Sequence, residues 1–241
     1  MDIALQLWSV HKLAQNDFCG TVQAVAEHGW NGVEFAGFGD LTSEEMADLL
    51  SQNGLYAVGA HCDMAIFEES LVETLSYLKK VGARYMIIPA APCDTIEDVQ
   101  KIVSVLNFAA PIAKQYGIKV GYHNHASEFK KLDEKYILDI IAEQTADDVV
   151  IELDVFWVKY AGVDPYEYIQ KLGKKVELVH LKQIAKDEKS DALLSDGILD
   201  MRDIVQTAKY ATHFIVEQEG DFPELESSKK NAEYVREIFN R

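Results

Sequence analysis

Imidazole, carboxylate and ammonium side chains stand in pairs, two residues apart, at the ends of four short apolar runs. The pairs are His123 and His125, Glu152 and Asp154, His180 and Lys182, and Glu217 and Glu219. Residues two apart on a strand face the same side of a sheet, so both members of a pair can face one site. Carboxylate oxygen and neutral imidazole suit Mn²⁺, Zn²⁺, Co²⁺ or Mg²⁺. The pattern predicts a divalent-ion site with Asp154, His180 and Glu217 as ligands; the alternative is a polar layer without metal.

Five other residues at or near the run ends have two interpretations each. Glu34 and Glu152 are either salt-bridged structural residues or members of the site. His61 either contacts substrate or is a hydrogen-bonded structural residue. Trp8 and Trp157 either belong to the core or stack on the C–H face of a sugar. Their roles depend on where the fold places them.

The elements that must position these side chains are eight β-rich runs. They are Ile3–Leu7, Gly32–Phe35, Ala57–His61, Tyr85–Pro89, Ile118–His123, Val149–Asp154, Val176–Leu181 and Phe214–Glu219. Amphipathic stretches between them predict helices. Examples are Ser43–Gln52, Phe67–Lys80, Ile96–Gln115 and Ser227–Phe239. Strands that alternate with helices predict a parallel sheet, and eight such units favour closure. We expect an α/β fold, a single (β/α)8 TIM barrel, as one domain over residues 1–241.

The helix ends carry recognisable signals. Five glycines stand directly before a run and predict left-handed C-terminal caps. They are Gly29, Gly54, Gly82, Gly117 and Gly173. Thr42 and Thr95 precede acidic first turns and predict N-terminal caps.

The barrel interpretation gives a test of function by position. Active sites of such barrels lie at the C-terminal ends of the strands, where residues such as His61, His123 and His180 fall. His213 precedes the last run and is expected at the opposite end. His11 and His28 are expected at the periphery.

Composition excludes several classes of function. The chain has 23 basic and 40 acidic residues, a net charge of −17, which argues against nucleic acid as a partner. No apolar stretch approaches the roughly 20 residues of a membrane span, and the glycine patterns of nucleotide-binding loops are missing from the sequence. No signal peptide is visible, and the three cysteines lack metal or redox spacing, so we expect a cytoplasmic protein. A homo-oligomer is compatible with these features.

Four sequence segments together resemble the xylose isomerase-like barrel superfamily. They are Gly121–Phe129 (GYHNHASEF), Ile151–Trp157 (IELDVFW), Val179–Lys182 (VHLK) and Ile215–Glu219 (IVEQE). More narrowly, the chain is similar to the sugar phosphate isomerase/epimerase group, which includes inosose dehydratase and ketose 3-epimerases; endonuclease IV is a more distant relative. The resemblance spans nearly the whole chain.

The resemblance implies a metal site, and this sequence differs from the family's usual ligand set at one position. Family members hold a divalent ion with Glu, Asp, His and Glu after strands five to eight; the last three match Asp154, His180 and Glu217. His123 stands at the strand-five Glu position, which argues against a simple two-glutamate epimerase mechanism and leaves His125 or Glu128 to take over one role. Trp157 and Gln183 replace a usual His and Asp, and both departures argue against endonuclease IV.

The implied activity is that of a divalent-metal-dependent sugar isomerase or epimerase that removes a proton next to a carbonyl. Glu217 is expected to double as a base, with His125 and Glu128 as proton carriers and Lys182 contacting a substrate oxygen or phosphate. His61, Trp157 and Trp8 are the candidate substrate walls. The alternatives are a dehydratase or lyase acting on a keto-inositol or keto-glycoside, and a metal-free sugar-binding barrel. An unphosphorylated substrate is preferred, because the segment 186–197 contains four acidic residues.

Overall fold

Eight strands close into one parallel barrel in this computed structural model, which describes residues 3–239. The strands, called first to eighth below, are Ile3–Gln6, Gly32–Phe35, Tyr56–His61, Tyr85–Ile88, Lys119–His123, Val150–Asp154, Val176–Leu181 and His213–Val216. They follow one another in chain order, and the first pairs with both the second and the eighth. The predicted (β/α)8 barrel is confirmed. Residues 1, 2, 240 and 241, at the ends of the predicted domain, lie outside the described residues.

Helices surround the barrel. The α-helices among the described residues are His11–Ala14, Phe18–Glu27, Ser43–Gln52, Met64–Glu69, Leu71–Lys80, Ile96–Tyr116, Ile137–Gln144, Val155–Tyr160, Pro165–Leu172, Met201–Thr207 and Glu224–Phe239. Short 3-10 turns lie at Leu7–Val10, Ser127–Phe129 and Gly173–Lys175. Two small antiparallel pairs join Lys131–Leu132 to Lys135–Tyr136 and Gln183–Ile184 to Asp191–Ala192. None of these helices is long and apolar enough to cross a membrane.

Two local predictions need correction. The stretch Phe67–Lys80 is not one helix, because Ser70 takes φ −138° and ψ 27°, outside the helical region, and separates two helices. The eighth strand ends at Val216 rather than Glu219, so Glu217 and Glu219 lie in the loop that follows it.

All five predicted glycine caps have positive φ, but Gly173 differs from Gly117 in its ψ angle. Gly117 has φ 75° and ψ 24°, the left-handed helical conformation that ends the helix Ile96–Tyr116. Gly173 has φ 54° and ψ −119°, outside the left-handed helical region, because a 3-10 turn begins there instead of a strand. Thr42 and Thr95 both form capping boxes, which confirms the predicted helix starts.

The barrel interior is filled by an apolar layer with a polar layer above it. The apolar layer consists of Ala4, Val58, Tyr85, Ile87, Val150, Leu178 and Ile215. Two residues farther along three of these strands, toward the C-terminal end, come Gln6, Glu152 and His180, and Glu217 stands two residues after Ile215, just past the end of the eighth strand; all four are buried. Because the side-chain period of a strand is two, each polar residue lies on the same face as the apolar residue below it. The apolar layer therefore closes the barrel directly below the candidate site.

An irregular pairing turns His61 into the barrel. Val33 pairs with Ala57, but Phe35 pairs with Ala60, so the third strand carries one extra residue at this point. Val58 lies in the interior layer, and His61, three residues later, contacts interior Glu152. A regular strand would place residues three apart on opposite faces, so the bulge is what brings this imidazole inside.

The capping box of the longest helix gives a stability prediction. Thr95 accepts a hydrogen bond from the Asp98 backbone N–H, and the Asp98 carboxylate accepts one from the Thr95 N–H in return. We expect Thr95→Ala to lower the free energy of unfolding by about 1 kcal/mol, measured by urea denaturation. Thr95→Ser keeps the hydroxyl and should lose far less. Equal losses in the two variants would contradict a hydrogen-bonding role.

Candidate functional site

Side chains from four neighbouring strands meet at the C-terminal end of the barrel. His123 ends the fifth strand, Asp154 ends the sixth, His180 lies in the seventh and Glu217 follows the eighth. One potential ligand atom of each lies within 4.8 Å of the others, and all four side chains are buried. The four residues that sequence reasoning grouped as ligands could therefore hold one metal ion; we call them the upper group.

Asp154 supports this fit through its two oxygens. Oδ1 accepts the backbone N–H groups of Phe156 (2.8 Å) and Trp157 (3.3 Å), which caps the helix Val155–Tyr160. Oδ2 is buried and has no hydrogen-bond partner among residues 3–239. The Asn124 side chain accepts the Asp154 backbone N–H at 3.0 Å and ties the sixth strand to the fifth. A buried carboxylate oxygen without a partner is costly, and a cation would satisfy it.

The upper group has strongly perturbed acid–base properties. Burial raises the pKa of Asp154 to about 7, although nearby Lys182 acts in the opposite direction. Burial also disfavours the charged form of His180, but the carboxylates of Glu152, Glu217 and Glu34 outweigh it and raise its pKa well above the ordinary value. Such shifts are typical of functional sites in clefts.

A second layer of buried carboxylates lies against the same histidines. Glu152 Oε2 is 2.6 Å from His61 Nε2 and 3.1 Å from His123 Nδ1, and Glu34 Oε2 is 2.9 Å from His180 Nε2. Burial and the neighbouring Glu152 raise the pKa of Glu34 to about 7. Burial lowers the pKa of His123 to about 3.

Sequence reasoning underestimated these two glutamates. It left Glu34 and Glu152 undecided between structure and function, and the structure places both against the imidazoles of the site. The available signal was the spacing of Glu152 and Asp154, which puts both on one strand face.

Lys182 is enclosed by acids and aromatic rings. Its ammonium pairs with Glu219 and lies 3.6 Å from Glu217 Oε2, and it is 1% exposed. It also lies 4.9 Å from the Trp157 ring centroid and 5.1 Å from that of Phe156. Burial opposes its charge, but these carboxylates and Asp154 raise its pKa. The lysine is therefore a buried counter-charge for the acidic end of the barrel.

A cavity of about 450 Å³ opens above the upper group. Its wall consists of Trp8, Ala36, Gly37, His61, Asp63, Ile66, Pro89, His123, His125, Glu217 and Glu219. Asp154, His180 and Lys182 do not line it, and within the described residues the wall contains no lysine or arginine. The cavity thus combines imidazole and carboxylate groups with apolar wall residues such as Trp8, Ile66 and Pro89.

Two candidate residues lie behind the wall instead of on it. The Glu128 carboxylate is buried and accepts hydrogen bonds from the Tyr122 hydroxyl (2.8 Å), the His125 N–H (2.9 Å) and the Ser127 hydroxyl (2.9 Å). The Trp157 ring centroid lies 5.2 Å from that of His125. Both side chains support His125 and do not face the cavity.

A known family model matches most of the barrel. Residues 22–238 match the family model described as xylose isomerase-like TIM barrel. The chain is 27% identical to the inosose dehydratase of Clostridium perfringens over 168 residues, which are 60% of this chain and 56% of that protein. The chain therefore spans about half the length of the curated relatives it matches.

Solved structures share the fold at low identity. A sugar phosphate isomerase/epimerase from Parabacteroides distasonis has a TM-score of 0.82 and 22% identity, covering 99% of this chain and 94% of its own. An IolI protein with a bound zinc atom has a TM-score of 0.76 and 15% identity, covering 99% and 98%. These similarities establish a shared architecture.

The burial of Lys182 gives a stability prediction. Removing one partner of a buried ion pair leaves the other charge uncompensated, so we expect Lys182→Met to lower the free energy of unfolding by about 3 kcal/mol at pH 7. Lys119 pairs with Glu177 at the opposite end of the barrel but is 45% exposed, and Lys119→Met should cost less than about 1 kcal/mol. Urea unfolding of the two variants measures both values. Equal losses would show that Lys182 is not an essential counter-charge.

Proposed function

Because this chain belongs to the xylose isomerase-like TIM barrel family, we propose that it isomerises or epimerises an uncharged sugar in a divalent-metal-dependent reaction. The reaction begins with removal of a proton next to a carbonyl group. The observation that carries the proposal is the unpartnered Oδ2 of Asp154, buried within a group of four potential ligands beneath a cavity of sugar size.

His123, Asp154, His180 and Glu217 would hold the ion. A bound divalent ion supplies Lewis acidity, which stabilises negative charge on the carbonyl oxygen of a sugar. The IolI structure, which shares this fold, contains a bound zinc atom, and this supports a divalent metal in this chain. Its identity in this chain is open among Mn²⁺, Zn²⁺, Co²⁺ and Mg²⁺.

The residues on the cavity wall supply the proton chemistry. Glu217 takes the proton from the carbon next to the carbonyl, and the electron pair of the broken C–H bond moves to the carbonyl oxygen as an enediolate forms. His125 returns a proton to the opposite face of that carbon, which gives the epimer, or to the neighbouring carbon, which gives the isomer. Glu128 and Trp157 hold His125 in place, and Lys182 positions Glu217.

The remaining wall residues orient the sugar. Trp8 is 43% exposed, its indole N–H donates to the Glu219 carboxylate at 3.1 Å, and its ring stacks on that of His11 with 4.2 Å between centroids. The ring surface that His11 leaves exposed is available to the C–H face of a sugar. His61 lies on the wall next to His123, with 5.0 Å between ring centroids, and is placed to contact a substrate hydroxyl.

A dehydratase is the second candidate, favoured by the identity to inosose dehydratase. It shares the first step, since Glu217 again removes the proton next to the carbonyl. The electron pair then forms a carbon–carbon double bond and expels a hydroxyl group from the adjacent carbon. The departing hydroxyl group takes a proton from His125 and leaves as water. The product is an enone in place of an epimer.

The cavity favours a substrate without phosphate. Asp63, Glu217 and Glu219 line it, and a phosphate dianion there would be repelled. Barrels of this type often bind phosphate at a helix N-terminus near the last strands. Here the Asp200 carboxylate already accepts the first N–H groups of the helix Met201–Thr207, those of Arg202 and Asp203.

Solvent-exchange measurements test the reaction class. With Mn²⁺ in D₂O, we expect deuterium at the carbon next to the carbonyl of a ketohexose or of 2-keto-inositol, detected by NMR, together with an epimer or an absorbing enone. Phosphorylated counterparts should react at least about tenfold more slowly, since one like-charge repulsion of about 1.4 kcal/mol has that effect. Glu217→Gln is the control that should abolish exchange. Faster reaction of the phosphorylated sugars would contradict the proposed substrate class.

Asp154→Asn tests the metal with a change of one atom. The retained Oδ1 still caps the helix, but the side chain loses its negative charge, so we expect the Mn²⁺-dependent rise in melting temperature to disappear while the metal-free protein stays folded. Asp164 caps the helix Pro165–Leu172 in the same way outside the site, and Asp164→Asn should keep the response. A wild-type protein that showed no Mn²⁺ response would favour a metal-free sugar-binding barrel.

A further inference from the structure

A second set of four potential ligands overlaps the upper group. His61, His123, Glu152 and His180 also offer atoms within 4.8 Å of one another, and this lower group shares two histidines with the upper one. The overlap allows two arrangements. Either the barrel holds two ions, or the buried carboxylates of Glu34 and Glu152 orient the shared histidines for a single ion in the upper group.

His180 faces both layers with different ring nitrogens. Nδ1 lies 3.3 Å from Glu217 Oε2 in the upper group, whereas Nε2 lies 2.9 Å from Glu34 Oε2 and 3.3 Å from Glu152 Oε2 below. A neutral imidazole has one nitrogen with a free lone pair and one that carries hydrogen. It can therefore serve an ion in only one of the two directions.

Gln6 indicates which direction that is. Its Oε1 accepts the backbone N–H of Trp8 at 3.0 Å, so its Nε2 must face Glu34 and donate to Oε2 at 2.8 Å. Glu34 Oε2 is thus an acceptor. His61 Nε2 is 3.4 Å from it but only 2.6 Å from Glu152 Oε2, so the imidazole that donates to Glu34 is His180, through Nε2–H at 2.9 Å. The lone pair of His180 is then on Nδ1, toward the upper group.

His123 has the same relation to Glu152. Its Nδ1 lies 3.1 Å from Glu152 Oε2, the oxygen that also lies 2.6 Å from His61 Nε2. When Nδ1–H donates to this carboxylate, the other ring nitrogen of His123 is left as the ligand. Both shared histidines are then held by a buried carboxylate on the side away from the ion, a common arrangement for metal-binding histidines.

We propose that Glu34 and Glu152 are positioning residues that set the tautomer and orientation of His180 and His123, so that the barrel binds one divalent ion per chain. The inference rests on the metal centre of the proposed function. In this arrangement Glu34 and Glu152 contact the histidines that bind the ion and do not bind the ion themselves. Glu34 is the cleaner probe, because it belongs to neither group of potential ligands.

The test is Mn²⁺ titration of the full chain, with free Mn²⁺ followed by electron paramagnetic resonance. We expect one ion per chain in the wild type, and one in Glu34→Gln and Glu152→Gln with a Kd raised about 10- to 100-fold. Co²⁺ absorption should shift in both variants, because a reoriented imidazole changes the ligand field. Asp139→Asn is the matched control: this buried carboxylate bonds Tyr168 and Lys171 outside the barrel, and its loss should leave Kd and spectrum unchanged.

The outcomes separate this inference from the proposed function. Two ions per wild-type chain, with one lost in Glu152→Gln, would establish a second metal site and overturn the inference. One ion per chain with unaltered Kd and spectrum in both variants would also overturn it, while the metal-dependent function would stand. Failure of the wild type to bind Mn²⁺ would overturn both. Circular dichroism of the metal-free variants confirms that a raised Kd comes from a folded protein.

Discussion

The structure depends on keeping many ionisable groups away from water at one end of a barrel. Glu34, Glu152, Asp154 and Glu217 are all at most 5% exposed. Isolated charges in such surroundings are costly, and they persist only when neighbouring groups of opposite charge or hydrogen-bond donors compensate them. Lys182 and the imidazoles of His61, His123 and His180 provide part of that compensation. Among the described residues, one oxygen each of Asp154, Glu34 and Glu152 still lacks a hydrogen-bond partner. A divalent cation has the charge and the ligand preference to complete the compensation at Asp154.

The barrel makes this concentration of charge tolerable by separating it from the packed interior. Inward positions alternate along each strand, so Val150 precedes Glu152 and Leu178 precedes His180 by one layer. The apolar layer excludes water and contributes apolar burial that stabilises the fold. The polar layer above it can therefore contain ionisable residues without disrupting the apolar packing. Loops after the strands complete the cavity above these two layers.

The first step of the proposed mechanism is compatible with the different reactions for which relatives of this barrel are named. Removal of a proton next to a carbonyl leads to an epimer, an isomer or an enone, depending on where the next proton goes and whether an adjacent hydroxyl leaves. The position of the second proton carrier decides this. In the proposed mechanism that carrier is His125, whose backbone N–H donates to the Glu128 carboxylate. The proposal therefore assigns the outcome of the reaction to the loop after the fifth strand.

The barrel and most of the upper group were predictable from the sequence, because strand period, helix amphipathicity and capping residues are local. Chain order and inward alternation then place Asp154, His180 and Glu217 at one end. Tertiary structure alone decided the contacts of Glu34 and Glu152, because they join strands far apart in sequence and depend on strand register. It also decided that Glu128 and Trp157 support His125 from behind, and that a bulge brings His61 inside. A one-residue shift in pairing reverses the face of a side chain, and no local pattern encodes that shift.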